Sequence, residues 1–293
     1  MEWKKMLSTP KKDHPLKQLD YLFYPKNVAV IGASNEKDSV GYAIFENFNR
    51  NKQHWCDHVF AVNPNHDVIQ NHKSYPSVVD IPVDLDLAVL VVPAQFVPKT
   101  LTECIEKKVE TVIIISAGFS EIGEKKLTDE VAGLIRQNPK TRVLGPNCFG
   151  VFVGDTGLNT TFSAKQKMNL PKNGNVAFLS QSGALGLAIL DWASTQEFGV
   201  SKFVSYGNAM DLDETDFLEY FGSDPKTRVI TAYLEGVKHG KKFLQTTAQI
   251  TRHKPVIVLK GGVTEQAHAA TLSHTGSLAG ASRVYEAVFK QTG

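Results

Sequence analysis

The segment TLSHTGSLAG, Thr271–Gly280, places a single histidine among small and hydroxylated residues of the 293-residue chain. An imidazole can act as a covalent nucleophile, and near pH 7 a useful fraction of it is neutral. A neighbouring carboxylate would fix its tautomer, and a helix N-terminus would stabilise a phosphoryl group placed on it. A lone histidine is more often a surface residue or a satisfied core residue. The residues alone therefore leave two interpretations of His274 open, a phosphate carrier and part of a structural loop.

Two earlier segments contain the groups that such a histidine would need. In SQSGALG, Ser180, Ser182 and Gly183 lie where a predicted strand runs into a helix. That arrangement suits an anion, and it suits a plain serine N-cap equally well. In LEGVKHG, Glu235 lies at the carboxyl end of another predicted strand, although it could simply pair with Lys238 at the surface. Parallel sheets place their ligands at the carboxyl ends of the strands, so both segments are expected at one edge.

The first half of the chain carries small or proline-rich polar loops after its predicted strands. The first of these strands ends in IGASNEKDSVG, a glycine turn whose amides could hold phosphate, although it lacks the G-x-G-x-x-G pattern. The second strand ends in Asn63, not in an acidic residue that would bind a ribose hydroxyl, which disfavours NAD. Another phosphorylated adenine nucleotide and a turn without ligand both stay open. The further loops VVPAQF, ISAGFS and GPNCFG favour an elongated ligand across this edge.

The elements that position these loops follow from an alternation of short β-branched runs with amphipathic helical segments. This alternation predicts βαβ units, parallel sheets and an α/β fold in two domains. The polar stretch Phe152–Gly174 separates the two series and is expected to be a linker or a surface loop. We predict an arm or short leading helix at 1–20 and domains at 21–153 and 154–293. The predicted strands are 27–32, 58–63, 85–92, 110–116 and 141–145, then 175–180, 201–207, 227–236 and 254–261.

Composition excludes several classes of protein. Lys and Arg number 32 against 30 Asp and Glu, so a net charge of +2 predicts neither nucleic-acid nor membrane binding. The apolar runs are too short to span a bilayer. Three cysteines without a disulfide pattern fit a reducing compartment, so we expect a cytoplasmic protein. The cluster HWCDH (His54, Cys56, His58) lacks the further ligands of a zinc site, and we interpret it as a helix end and strand start.

The loop series NVAVIGAS, VNPN, VPAQF, SAGFS and GPNCFG resembles the CoA-binding domain of the nucleoside-diphosphate-forming acyl-CoA synthetases. The resemblance implies a Rossmann-like CoA-binding domain followed by a flavodoxin-like parallel α/β domain. One departure is His66, which stands where succinyl-CoA synthetases carry a lysine, so a charge contact to CoA is weakened or moved. The residues implied to bind CoA are Gly32, Ala33, Ser34, Lys37, Asn63, Val92, Pro93, Ala94, Ser116 and Asn147.

The second half resembles the ADP-forming acetate–CoA ligases of the same family, through SQSGALG, YLEG and SHTGSLAG. By that resemblance His274 is phosphorylated and Glu235 is the carboxylate that orients it. Asn208 would line the pocket shared by the acyl group and phosphate. The helix terminus that receives the phosphate would be formed by Ser180, Ser182, Gly183 and Ala184.

The reaction implied by the resemblance is acyl-CoA + ADP + phosphate ⇌ carboxylic acid + CoA + ATP. The chain has no G-x-x-x-x-G-K-[ST] loop and no stretch resembling an ATP-grasp domain. We therefore expect an ATP-grasp β subunit or fused domain that carries ADP or ATP with Mg²⁺, a hetero-oligomer, and a truncated C-terminus. A regulatory CoA-binding module, as in some protein lysine acetyltransferases, is the alternative, and the presence of His274 and Glu235 argues against it. An NAD-binding oxidoreductase ranks third.

Overall fold

The computed structural model describes residues 15–50, 56–162, 169–262 and 282–293. The first sheet contains β1 (Asn27–Ile31), β2 (His58–Val62), β3 (Val68–Ile69), β4 (His72–Tyr75), β5 (Leu87–Leu90), β6 (Thr111–Ile114) and β7 (Arg142–Leu144). Their spatial order is β3-β4-β2-β1-β5-β6-β7. Every neighbouring pair is parallel except the antiparallel hairpin β3–β4.

Helices cover both faces of the first sheet, and alternate residues of β1 show this. Val28 and Val30 pack in one buried cluster with Phe45 of the helix Val40–Arg50, whereas Ala29 and Ile31 pack in another cluster on the opposite face. A continuous apolar strand is what a parallel sheet buried on both sides requires. The helices of this half are α1 (Pro15–Gln18), α2 (Asp20–Phe23), α3 (Val40–Arg50), α4 (Val97–Glu106) and α5 (Lys125–Gln137).

The strands of the second sheet are β8 (Gly150–Val153), β9 (Asn173–Ser180), β10 (Val200–Ser205), β11 (Val229–Leu234) and β12 (Val256–Lys260). Their spatial order is β12-β11-β9-β10-β8, and of these five strands β8 alone is antiparallel to its neighbour. The helices are α6 (Gly183–Ser194), α7 (Glu214–Ser223), α8 (Gly240–Ile250) and α9 (Ser282–Thr292). The domain division at residue 153 stays a prediction, but β8, which precedes it, hydrogen bonds in the second sheet.

The expectation that Phe152–Gly174 is a linker or a surface loop is wrong for its first part. Phe152 belongs to β8, and the run Leu158–Thr161 is buried. The polar side chains in this run can be buried because backbone amides form hydrogen bonds with them. The Thr160 hydroxyl accepts a hydrogen bond from the Val151 amide at 2.6 Å, and Asn159 Oδ1 accepts one from the Thr161 amide at 2.9 Å. Hydroxyl and amide groups are tolerated in a core once they are paired in this way.

The start of the described chain is ordered against the second half of the protein. Leu19, predicted to belong to an arm or a short leading helix, is only 1% exposed. The Phe23 ring stacks on Tyr220 of α7 with ring centroids 4.8 Å apart, and the Tyr220 hydroxyl donates to Asp20 Oδ1 at 2.9 Å. Short helices are marginal alone, so burial of their apolar side chains, about 1.5–3 kcal/mol each, holds them in place. Residues 1–14 lie outside the described ranges.

Candidate functional site

The carboxyl ends of β7 and β10 bring loops of the two sheets into direct contact. The Asn208 amide donates to Pro146 O at 3.0 Å, and the Met210 amide donates to Gly145 O at 2.9 Å. Gly207 has a φ of +57°, and a Cβ there would lie 2.3 Å from the carbonyl oxygens of Pro146 and Asn147. Only glycine permits so close an approach. The loops predicted to hold CoA and those predicted to hold phosphate are therefore neighbours.

The turn after β1 is shaped by glycine. Gly32 has a φ of +93°, and a Cβ on it would lie 2.6 Å from Val91 O. A Cβ on Gly41 in α3 would lie 2.0 Å from Gly32 O, so the helix starts directly against the turn. The two glycines thus bring the turn and a helix N-terminus together, an arrangement suited to a phosphate group.

The hairpin β3–β4, which was not predicted from the sequence, supports this turn. The Gln70 carboxamide donates to Ser34 O at 3.2 Å and to Tyr42 O at 3.1 Å. The backbone amide of Gln70 also donates to Asn35 Oδ1 at 2.8 Å. The pair Gln70-Asn71 was the feature of the sequence that could have indicated this hairpin. Asparagine often adopts the left-handed region in hairpin turns, and both residues have positive φ.

Asn63, predicted to contact CoA, is engaged in holding the loops together. Its side-chain nitrogen donates to Ala33 O at 2.9 Å, and its Oδ1 accepts from the Asn65 amide at 2.9 Å. Its own amide donates to Tyr75 O at 2.9 Å. Asn63 therefore ties the first turn to β4. Of the remaining residues predicted here, Ala33 is buried, Ser34, Val92 and Ala94 are half-buried, and Lys37 and Pro93 are exposed.

The next loops of the first sheet are linked edge to edge. The Ser116 hydroxyl donates to Val92 O at 2.5 Å, and Ser116 O accepts from the Asn147 amide at 2.9 Å. Gly118, with a φ of +112°, packs so that a Cβ on it would lie 3.1 Å from the Ala94 Cβ. The predicted residues Val92, Ala94, Ser116 and Asn147 thus form one continuous row along the sheet edge.

On the second sheet, Ser182 is the N-cap of α6. Its hydroxyl accepts a hydrogen bond from the Leu185 amide at 3.4 Å, and the Ser180 hydroxyl donates to Ser182 O at 2.5 Å. A Cβ on Gly183 would lie 2.2 Å from the Phe149 ring, which again allows the two sheets to approach closely. The serine cap is present, and Ala184 beside it is exposed at the start of the helix.

Glu235 lies at the end of β11 and is only 7% exposed. Among the described residues, its buried Oε2 has no hydrogen-bond partner. The suggested surface pair with Lys238 is wrong, because Lys238 Nζ donates to Asn208 O at 3.2 Å and to Ala209 O. Burial, together with the Glu235 carboxylate, raises the pKa of the Tyr233 hydroxyl. Burying a carboxylate oxygen without a hydrogen-bond donor costs free energy, so Glu235 Oε2 is suited to accept a hydrogen bond from a further group.

Gln181, which sequence analysis did not single out, fixes the backbone that carries Glu235. Its Oε1 accepts hydrogen bonds from the amides of Glu235 at 2.8 Å and Gly236 at 3.1 Å. The same oxygen accepts from the hydroxyl of the fully buried Tyr206 at 3.3 Å. Gln181 lies between the two serines of SQSGALG, and this position within the motif was the feature that could have indicated its role.

Two further ionisable groups lie behind this edge. Glu214 is 1% exposed, and burial, with repulsion from Asp213, raises its pKa to about 7. Its Oε1 accepts from the Lys238 amide at 3.1 Å. Lys260 Nζ donates to Glu235 O at 2.8 Å, and burial lowers the pKa of this ammonium group. The second edge therefore combines several ionisable groups that are buried or half-buried.

His274 and His268 fall in 263–281, outside the described residues, so the placement of His274 beside Glu235 stays a prediction. His54 is also outside the described ranges, and His58 is the first residue of β2.

An apolar groove of about 250 Å³ lies elsewhere, between α6 and the second sheet, and its lining contains none of the predicted site residues. Within the described ranges, no helix combines the length and apolar character needed to cross a bilayer.

Comparison with known protein families assigns both halves of the chain. Residues 26–153 match the model of a CoA binding domain, and residues 173–293 match that of a succinyl-CoA ligase like flavodoxin domain. The chain thus combines a CoA-binding unit with a ligase-type flavodoxin unit, which confirms the expected fold class. These two matches agree with the resemblance of its motifs to the nucleoside-diphosphate-forming acyl-CoA synthetases.

Relatives extend the match over almost the whole chain. An ADP-forming acetate–CoA ligase II subunit alpha of Pyrococcus furiosus is 44% identical over 276 residues, covering 94% of this chain and 59% of the relative. A 4-hydroxybutyrate–CoA ligase (ADP-forming) of Nitrosopumilus maritimus is 39% identical, covering 92% and 38%. The structure of a dinucleotide forming acetyl-coenzyme A synthetase 1 of Ca. Korarchaeum cryptofilum, in complex with phosphate and ADP, superposes with a TM-score of 0.86 at 39% identity, covering 94% and 58%. The chain therefore spans only part of the length of these relatives.

Proposed function

We propose that this chain forms the α subunit, or the α-like part, of an ADP-forming acyl-CoA synthetase of the acetate–CoA ligase type. The observation that carries the proposal is the buried carboxylate of Glu235, whose backbone amide is held by Gln181 at the same edge as the capped start of α6. This edge lies against the loops of the CoA binding domain. A carboxylate with one free oxygen, beside a helix N-terminus, suits a histidine that accepts and passes on a phosphoryl group.

The proposed first step joins phosphate to the acyl group. A phosphate oxygen attacks the thioester carbonyl carbon, the C–S bond breaks, and CoA leaves as the thiolate. The row of loops from Gly32 to Asn147 would hold CoA, and the turn Ser180–Ala184 would hold phosphate. The contact between these loops supports direct attack, because reacting groups must be held about 3–3.5 Å apart and aligned.

In the second step, a ring nitrogen of His274 attacks the phosphorus of the acyl phosphate. The P–O bond to the acyl group breaks and the carboxylate leaves. Glu235 would accept a hydrogen bond from the other ring nitrogen, which fixes the tautomer and stabilises the positive charge that develops on the ring. An oxygen of the ADP β-phosphate then attacks the phosphohistidine, the P–N bond breaks, and ATP forms.

The nucleotide, with Mg²⁺, would bind on an ATP-grasp β subunit or fused domain, which makes the active protein a hetero-oligomer or a longer chain. The relative from Pyrococcus furiosus is described as a subunit alpha, and the chain spans 59% of its length, which supports both possibilities. Which acid is used follows from the acyl pocket, and a panel of acyl-CoA thioesters assayed with the complete protein would identify it.

The proposal is tested by labelling the protein from acetyl-CoA and radioactive phosphate. We expect a phosphoryl label that is lost in acid and retained in base, and that is absent from His274→Ala. The matched control is His268→Ala, which removes a histidine of the same segment and should keep the label. A label that persists in His274→Ala would refute the mechanism. Binding of CoA without any label would favour the alternative, a regulatory CoA-binding module.

A further inference from the structure

Asn208 is held by protein groups at each of its polar atoms. Its amide donates to Pro146 O at 3.0 Å, and its carbonyl oxygen accepts from Lys238 Nζ at 3.2 Å. Its side-chain nitrogen donates to Glu121 Oε2 at 2.6 Å, and its Oδ1 accepts from Asn147 Nδ2 at 3.3 Å. This side chain links three loops and is already committed to protein partners. That commitment differs from the expectation that Asn208 lines the phosphate pocket as a ligand.

Glu121 determines which way the Asn208 carboxamide faces. A carboxylate only accepts hydrogen bonds, so it selects the nitrogen end of the amide and leaves the oxygen end for Asn147. The other oxygen of Glu121 accepts from the amides of Gly118 at 2.5 Å and Phe119 at 3.1 Å. Burial opposes ionisation of Glu121, but these backbone bonds and the Asn208 amide outweigh it and lower its pKa. Glu121 therefore stays a carboxylate at neutral pH.

The chain Glu121–Asn208–Asn147 connects the two sides of the proposed reaction. Glu121 lies in the loop after β6, whose Ser116 contacts the CoA-side row. Asn147 lies after β7, and Asn208 lies after β10 in the second sheet. Misplacement of reacting groups by about 1 Å can lower a rate roughly 100-fold, so a link that fixes these loops has direct consequences for the reaction.

We propose that Glu121 is a positioning residue that orients the Asn208 carboxamide and thereby locks the CoA-side loops to the phosphate-side loops. The inference rests on the proposed function. Glu121 and Asn208 then align the thioester with phosphate by fixing the loops, and Asn208 itself contacts neither group.

The test exchanges the two functional groups in the complete protein. Glu121→Gln places an amide against an amide, and Asn208→Asp places a carboxylate against a carboxylate. The double variant Glu121→Gln/Asn208→Asp restores one donor and one acceptor with the net charge unchanged. In it, the introduced carboxamide can still accept from the Gly118 and Phe119 amides, and the introduced carboxylate can still accept from Asn147. Glu124→Gln, at an exposed position of the same segment, is the matched control.

The measurements are the rate of phosphoryl labelling from saturating acetyl-CoA and phosphate, and the Kd for CoA. Each single variant should label roughly 10–100-fold more slowly, with a Kd for CoA within about twofold of the wild-type value. The double variant should recover to within about threefold of the wild type, and Glu124→Gln should match it.

Two outcomes separate this inference from the function on which it rests. If the wild type acquires a label but Glu121→Gln labels at the same rate, or the double variant is as slow as the product of its single effects, Glu121 is not a positioning residue. If the wild type acquires no label, the proposed function itself is wrong, and the inference falls with it.

Discussion

The two edges that meet in the candidate site are built in different ways. On the CoA side, contacts run mainly through backbone carbonyls, glycines and small side chains, as at Gly32 and Ser116. On the phosphate side, ionisable groups are buried, among them Glu235 and Glu214. The first edge is suited to binding a long ligand by shape and backbone hydrogen bonds. The second concentrates ionisable groups where a developing charge can be stabilised, which suits it to chemistry.

The largest expected effect comes from removing the charge on the phosphate side. Glu235→Gln keeps the volume of the side chain but cannot stabilise a positively charged imidazole. We expect phosphoryl labelling from acetyl-CoA to slow by roughly 100-fold or more, because removing one such electrostatic group typically costs that much. The Kd for CoA, measured by calorimetry, should stay within about twofold. Glu197→Gln, an exposed site, is the control. Equal losses of CoA binding and labelling would erase the contrast between the edges.

On the CoA side we expect a substitution to weaken the binding of CoA itself. Gly32→Ala forces a side chain into a backbone with a φ of +93° and to within 2.6 Å of Val91 O. The turn must shift, and we expect the Kd for CoA to rise at least about tenfold, since strain of this kind costs about 1–3 kcal/mol. Gly133→Ala, in α5 with no atom within 4 Å of the new Cβ, is the matched control. A Gly32→Ala variant that binds CoA normally would show that this turn does not hold the ligand.

The smallest effect concerns stability and tests whether Glu214 is a buried acid that holds its proton. The pKa of Glu214 is raised to about 7, so in the folded state it holds a proton that the unfolded chain releases near pH 4.3. Its contribution to stability is thus present at low pH and lost as the pH rises from about 4.3 through about 7. Glu214→Gln should remove this loss and raise the free energy of unfolding at pH 8 by about 1–2 kcal/mol relative to the wild type.

Urea unfolding of both proteins at pH 5 and pH 8 measures this difference. We expect the two proteins to be closer in stability at pH 5 than at pH 8. A wild type that becomes more stable relative to Glu214→Gln as the pH rises would reverse the sign and contradict the assignment of a buried acid.

Most strands could be predicted because parallel strands covered on both faces must be apolar throughout. The segment NVAVIG, predicted as a strand at 27–32, is β1 at Asn27–Ile31. The antiparallel strand β8 escaped prediction because the polar stretch that follows it contains threonines and an asparagine that look solvated. These side chains satisfy their hydrogen bonds within the protein, as Thr160 does with Val151, and such pairing has no periodic signature in the sequence.

The roles of Ser182 and Glu235 stay predictions, but their places at the sheet edge could be predicted from strand ends and family motifs. Gln181 and Glu121 could not, because their importance depends on partners far along the chain. Gln181 meets Glu235 at a separation of 54 residues, and Glu121 meets Asn208 at a separation of 87. Both partners lie in loops, whose geometry is set by the packing of the sheets rather than by local sequence.

The role of His274 is tested most directly by locating the phosphoryl group after the complete protein reacts with acetyl-CoA and phosphate. Peptide mapping by mass spectrometry under basic conditions, which preserve phosphohistidine, identifies the modified residue. We expect a single phosphorylated histidine, His274, whose yield falls in Glu235→Gln. Phosphate on any other residue, or acetyl phosphate released with no modified histidine, would contradict it.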